Sequence, residues 1–207
     1  MLLAKAPKLA EQEVEPYGIE EIQRLLEVAS ERRNSARWAL ALALGLRQGE
    51  ALGLRWEDVE LDHGVLRVRR SRLRPRYVHG CGGACGQAPG LCPQRINVRQ
   101  AADEVKSKAG RRTIGLPLQL VALLRAHRAE QESERQLAQR LWQDEGWVFA
   151  SPTGQPLSPN SDYHEWKRLL RVAGLRDARL HDARHTAATV LLLLDVPVRT
   201  VMSLMGW

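Results

Sequence analysis

Between residues 19 and 29, Ile19, Ile22, Leu25, Leu26 and Ala29 recur at helical spacing, and Glu20 and Glu21 fill the first turn of the helix this predicts. Ala36 to Leu46 is apolar nearly all round, the mark of a buried helix. Gly45 and Gly49 interrupt that pattern around Arg47, and a short third helix is expected from Glu50 to Leu54, ahead of Trp56-Glu57-Asp58-Val59. From Gly64 the period falls to two. Val65, Arg67 and Arg69 alternate with Leu66, Val68 and Arg70, predicting a half-buried strand with a basic face. A second hairpin is expected over Glu104–Pro117, turning at Ala109-Gly110 with Lys108 at its edge and returning through Thr113–Pro117. Leu118, Leu120, Val121, Leu123 and Leu124 open a long helix over 118–142, whose second half is charged. Trp147-Val148-Phe149 reads as a short strand, Pro159–Ala173 as a helix with Tyr163, Trp166, Leu169 and Leu170 inward. Two further helices cover His181–Leu194 and Val198–Met205.

Residues 1–17 are polar and punctuated by proline, and read as a linker or arm; residues 18–207 read as one domain with a loop insert at about 77–97. A hydrophobic fraction of 44 % with 27 % charged residues is that of a globular chain rather than a disordered one. The net charge of +7, carried mostly by arginine, points to a polyanionic partner, because guanidinium groups pair well with phosphates. The start has no apolar core for a signal peptide, and Ala39–Leu46 and Val190–Leu194 are too short to span a bilayer, so a cytoplasmic protein is expected. Three cysteines crowded into one segment argue against a disulfide framework. With His79, the residues Cys81, Cys85 and Cys92 offer either four ligands for a structural zinc ion or a flexible loop with free thiols.

Two stretches carry candidate chemistry. In His181-Asp182-Ala183-Arg184-His185-Thr186, Asp182 reads as a helix cap that would set His181 and Arg184 at the first turn. A helix start already favours an anion, Arg184 adds a planar fork for two phosphate oxygens, and His181 can move a proton near neutral pH. In GLRQGEALGLRWEDVEL (45–61), Arg47 lies between two packed helices with Glu50 three residues on, placed to orient it. A partly buried arginine in such a setting needs an anion. No cluster of carboxylates stands at metal-ligand spacing, which sets aside a metal-dependent nuclease.

The ordered motifs GLRQGEALGLRWEDVEL, KSKAGRRTIGLP, LHDARHTAATVLL and VMSLMGW resemble those of tyrosine recombinases, the phage-integrase family, over about residues 18–207. The resemblance implies a mainly α catalytic domain with a small antiparallel β-sheet (α+β). It implies site-specific breakage and rejoining of double-stranded DNA through a 3′-phosphotyrosine, without metal or nucleotide cofactor, by a homo-tetramer on DNA in the full-length protein. Carried over residue by residue, Arg47 and Arg184 clamp the scissile phosphate, supported by Glu50. Lys108 is the general acid, with Lys106 as alternate. His181 bonds the phosphate and assists proton removal, and Trp207 stands where the family carries His or Trp. His185 is expected to be structural. The family's nucleophilic tyrosine lies beyond the position of Trp207, and Tyr17, Tyr77 and Tyr163 are all expected to be packing or surface residues. The chain thus reads as a catalytic domain incomplete at its C-terminus and inactive alone, or alternatively as a non-catalytic DNA-binding remnant.

Overall fold

The computed structural model describes residues 15–105 and 110–207. Helix α2 (Ala36–Leu44) lies at its centre, as its all-round apolar pattern requires. Ala36, Leu40 and Leu44 face one core with the sheet and helix α4 (Leu118–Ala138), which contributes Leu120, Val121 and Leu124. Trp38 and Leu42 face a second core between α1 (Ile19–Ser30) and α5 (Pro159–Val172). Trp38 stacks on Trp166 there, ring centroids 5.8 Å apart. Tyr17 is buried in the same core, its backbone N–H donating to Thr186 Oγ1 at 3.0 Å, so the folded body includes one residue assigned to the arm. Residues 1–14 of the expected arm lie outside the described residues.

Between the two cores, Arg37 on α2 makes a two-pronged ion pair with Asp162 on α5, both oxygens at 3.1 Å and both side chains almost fully buried. Gln48 Nε2 donates to the same carboxylate at 2.9 Å. One acidic side chain therefore joins α2, α5 and the start of α3 (Gln48–Leu52).

Strands β1 (Val59–Glu60), β2 (Val65–Val68) and β7 (Arg112–Gly115) form a three-stranded antiparallel sheet with Leu66 opposite Ile114 and Val68 opposite Arg112. Leu66, Val68 and Ile114 face the core, as their period-two spacing dictates. The ribbon continues as β3 (Arg70–Arg72) against β6 (Ala102–Glu104), then β4 (Tyr77–His79) against β5 (Arg95–Asn97). This corrects the expected hairpin over Glu104–Pro117. β6 and β7 do not pair with each other; they follow one another along the same side of the β2–β3 ribbon, with Arg70 opposite Glu104 and Val68 opposite Arg112. Lys106 and Lys108 fall between them, outside the described residues.

Trp147-Val148-Phe149 is buried but forms no strand. It is pinned by single bonds, Val148 N–H to Leu54 O at 3.0 Å and Trp56 N–H to Gly146 O at 2.9 Å. Tyr163 turns outward from α5 rather than inward. Helices α6 (Leu180–Leu193) and α7 (Val198–Met205) complete the domain, α6 packing along α2. Among the described residues no helix is long and apolar enough to cross a membrane.

Candidate active site

Three glycines let the site form. Gly45 ends α2 with a left-handed backbone (φ 60°), turning the chain so that Arg47 becomes the N-cap of α3. Gly49 and Gly53 let α3 lie against β3: a Cβ on Gly53 would meet the Arg70 carbonyl at 2.9 Å. With α3 so placed, Glu50 closes a capping box on Arg47. Its Oε2 accepts the Arg47 backbone N–H at 2.9 Å and its Oε1 accepts Arg47 Nη1 at 2.7 Å.

The same carboxylate holds Arg112 from β7, through Oε1 at 3.1 Å and Oε2 at 2.8 Å. Arg112 is a member of the site that the sequence reading did not assign. Its signal was present, because Arg112 and Ile114 share one face of β7 and Ile114 is core, so the guanidinium points inward and needs an anion.

Arg184 arrives from α6. The N-cap lies three residues earlier than expected: it is Arg179, and Asp182 sits three residues in, accepting the Arg179 N–H at 2.7 Å. Asp182 is therefore the far half of a capping box rather than the cap, and Arg184 lies in the second turn instead of the first. Only 2 % of Arg184 is exposed, and among the described residues no carboxylate comes within ion-pair distance of it. Its Nη1 donates to Gly45 O at 2.6 Å and its Nη2 to Met205 O.

The last turn of α7 closes the cluster. Leu204 O accepts Arg112 Nε at 2.6 Å, Met205 O accepts Arg184, and Gly206 O accepts Arg47 Nη2 at 3.3 Å. Three consecutive carbonyls thus receive three different arginines, a match for the negative end of a helix dipole. Trp207 lies beside them with Arg184 Cζ 5.4 Å from its ring centre. A cleft of about 400 Å³ opens between Arg111, Arg112, Arg199, Met202 and Trp207.

Electrically the cluster is unbalanced: Arg47 and Arg112 share the carboxylate of Glu50, and Arg184 has no carboxylate partner among the described residues. Burial, then the charges of Arg47 and Arg112, push the Arg184 pKa down to about 10 against the opposing pull of Glu50, so it stays charged at neutral pH. Burial raises the Glu50 carboxyl, but hydrogen bonds and charge from Arg112 and Arg47 outweigh it and hold the group below its ordinary range. His181 is exposed, its ring 5.0 Å from that of His185 and nearly perpendicular to it. Partial desolvation, then the charges of His185 and Arg184, lower its pKa, which keeps the ring neutral near pH 7 and able to accept a proton. Of the predicted site residues, Arg47, Arg184, His181 and Trp207 come together here, while Lys108 lies outside the described residues.

Glu50→Gln is expected to remove the cluster's counter-charge while keeping its shape. The expected loss is about 3 kcal/mol of stability, because two guanidiniums are left unpaired. Thermal melts with and without inorganic phosphate measure it: phosphate should restore part of the loss, and no loss at all would refute the charge-balance argument.

Residues 86–207, more than half of the chain, match the phage integrase family. The chain belongs to that family. It is 43 % identical over 99 % of its length to an integrase of Saccharopolyspora erythraea, covering 54 % of that protein. It is 31 % identical over 95 % of its length to a tyrosine recombinase XerC-like protein of Caldanaerobacter subterraneus subsp. tengcongensis, covering 48 % of it. The chain therefore spans about half the length of these curated relatives. In fold it is similar to the Tn1549 transposon integrase, solved in complex with transposon right end DNA, with a TM-score of 0.69 and 17 % identity, over 97 % of this chain and 60 % of that one. A mainly α phage-integrase domain with small antiparallel sheets is thus the architecture of this chain.

Proposed function

We propose that this domain performs site-specific cleavage and rejoining of double-stranded DNA in the cytoplasm, with the cluster of Arg47, Arg112 and Arg184 as the seat of the scissile phosphate. The observation that carries the reading is the buried Arg184 guanidinium, which among the described residues has neutral carbonyls but no carboxylate for partners, beside two further arginines. A phosphodiester supplies the missing negative charge, and the charge it gains in the transition state strengthens the interaction further.

In this reading Arg47 and Arg184 hold the non-bridging oxygens. Glu50 positions Arg47 and Arg112 at once. A tyrosine hydroxyl attacks phosphorus, its proton passing toward neutral His181; the bond to the 5′ oxygen breaks, and Lys108 protonates that oxygen. The Trp207 indole N–H is a further donor to the phosphate. Rejoining runs the same steps backward. The tyrosine comes from outside residues 1–207. Tyr17 is buried against Trp166, Tyr77 lies under Arg95 on the β-arm, and Tyr163 packs beside Lys167 on α5. Assembly into a tetramer on DNA follows from the family reading.

The test uses a nicked suicide DNA substrate carrying the recognition site, with this chain and with a form extended past Trp207 by a tyrosine-bearing integrase segment. A covalent adduct in the extended form alone is the expected result. No adduct in either would leave a DNA-binding remnant, and an adduct with residues 1–207 alone would return the nucleophile to one of the three tyrosines. DNA binding by this chain should weaken steeply with salt, as phosphate contacts release counterions; a flat response would exclude DNA as partner.

A further inference from the structure

The insert at the far end of the β-arm has no part in the phosphate site. His79 ends β4, Cys81 and Cys85 lie in the turns that follow, and Cys92 caps a short 3-10 turn over Pro89–Leu91 before β5. Their donor atoms converge. His79 Nδ1 lies 3.8 Å from Cys81 Sγ and 3.5 Å from Cys85 Sγ, Cys81 Sγ is 3.6 Å from Cys92 Sγ, and all four donors fall within 4.8 Å of one another. We propose that these four side chains bind one zinc ion, in a closed structural Cys₃His site that holds the insert in shape.

The distances discriminate between the alternatives. Tetrahedral zinc, with bonds of about 2.3 Å to sulfur and about 2.0 Å to nitrogen, places sulfurs about 3.8 Å apart and sulfur about 3.5 Å from nitrogen. The three closest contacts, 3.8 and 3.5 Å for sulfur to nitrogen and 3.6 Å for sulfur to sulfur, lie within about 0.3 Å of those values. A disulfide requires sulfurs about 2.05 Å apart, and all three cysteines are free thiols.

The surroundings are built for such an ion. Gly82, Gly83 and Gly86 take positive φ (65°, 94° and 64°), which lets the chain wrap tightly enough to aim two sulfurs inward. Cys92 is buried, whereas the apolar side chains nearby, Val78, Leu91 and Ile96, are all exposed. The insert therefore has no hydrophobic core of its own, and a metal is the usual substitute in so small a unit. Four protein ligands fill a tetrahedral shell and leave no open position, which makes the site structural rather than catalytic. The phosphate cluster lies on other elements, α3, β7, α6 and α7, so the two sites are tested separately.

The chain purified under reducing conditions without added metal is analysed by inductively coupled plasma mass spectrometry. The expected result is about one zinc per chain, falling at least about tenfold in Cys85→Ser and in Cys92→Ser. Cobalt reconstitution should give the absorption of a tetrahedral thiolate site, lost in the same variants. In case a variant fails to fold, the wild-type protein carries a second readout. Its three thiols should react slowly with a thiol reagent and rapidly once a chelator is added, with the helical circular dichroism of the body retained. Metal-free protein with freely reactive thiols, iron in place of zinc, or undiminished zinc in the folded serine variants would overturn the proposal.

Discussion

In a tyrosine-bearing form of the protein, Arg184→Ala lowers the rate of covalent adduct formation on suicide DNA by about a thousandfold, while DNA affinity falls by less than about tenfold. The asymmetry follows from where Arg184 sits. It is buried, so it adds little to the exposed basic surface, whereas in the proposed function it meets the phosphate oxygens whose charge grows during the reaction. Arg184→Lys should be almost as damaging. An ammonium cannot bridge Gly45 O and Met205 O while presenting a flat pair of donors to a phosphate. A second readout works on this chain as it stands. Phosphate at about a hundred times its Kd stabilises a binding-competent fold by about 2.7 kcal/mol, and that protection should vanish in Arg184→Ala. Equal loss of cleavage and binding, or undiminished protection by phosphate, would remove the assignment.

Asp162→Ala should be the most destabilising single change in the body of the domain, costing about 3–5 kcal/mol and lowering Tm by roughly 10 °C. The substitution strands the Arg37 guanidinium between two cores, beside the face of Trp38 at 5.0 Å. It also removes an acceptor from Gln48, the first residue of α3, and so loosens the turn that presents Arg47. Replacing the pair together, as Arg37→Met with Asp162→Leu, should cost less than Asp162→Ala alone, since no charge is then left buried. Chemical denaturation of the three variants decides it. A loss below about 1 kcal/mol for Asp162→Ala would show that water reaches the guanidinium and that the pair is not buried in solution.

Much of the site was legible because its parts are local. Arg47 and Glu50 are three residues apart on one short helix, and His181 and Arg184 lie within one turn of each other on α6. Local spacing also gave α1, α5 and α7 nearly to the residue. What stayed hidden depends on partners distant in sequence. The Glu104–Pro117 hairpin failed because β6 and β7 each pair with strands some thirty to fifty residues earlier, a register that no turn signal between them encodes. Trp147–Phe149 has a strand's composition, but its backbone meets a short edge at Leu54 and Trp56, and side chains of His127 and Gln131 take its carbonyls. Asp182 satisfied the rule for a cap, yet the carboxylate reaches back to Arg179 and the helix begins before it. Arg112 was passed over because it sits next to exposed Arg111 in a basic run. Its burial is visible only once β7 is known to turn that face inward.

The three arginines fastened to Leu204, Met205 and Gly206 make α7 a working part of the proposed anion site as well as a neighbour of it. Binding free energies are reciprocal: if a bound phosphate steadies α7 in this seat by some factor, then any contact that steadies α7 tightens phosphate by that same factor. The backbone of one short helix is thereby a thermodynamic lever. A partner that touches only its outer face, where Val198 and Met202 are exposed, can tune the affinity of arginines that it never meets.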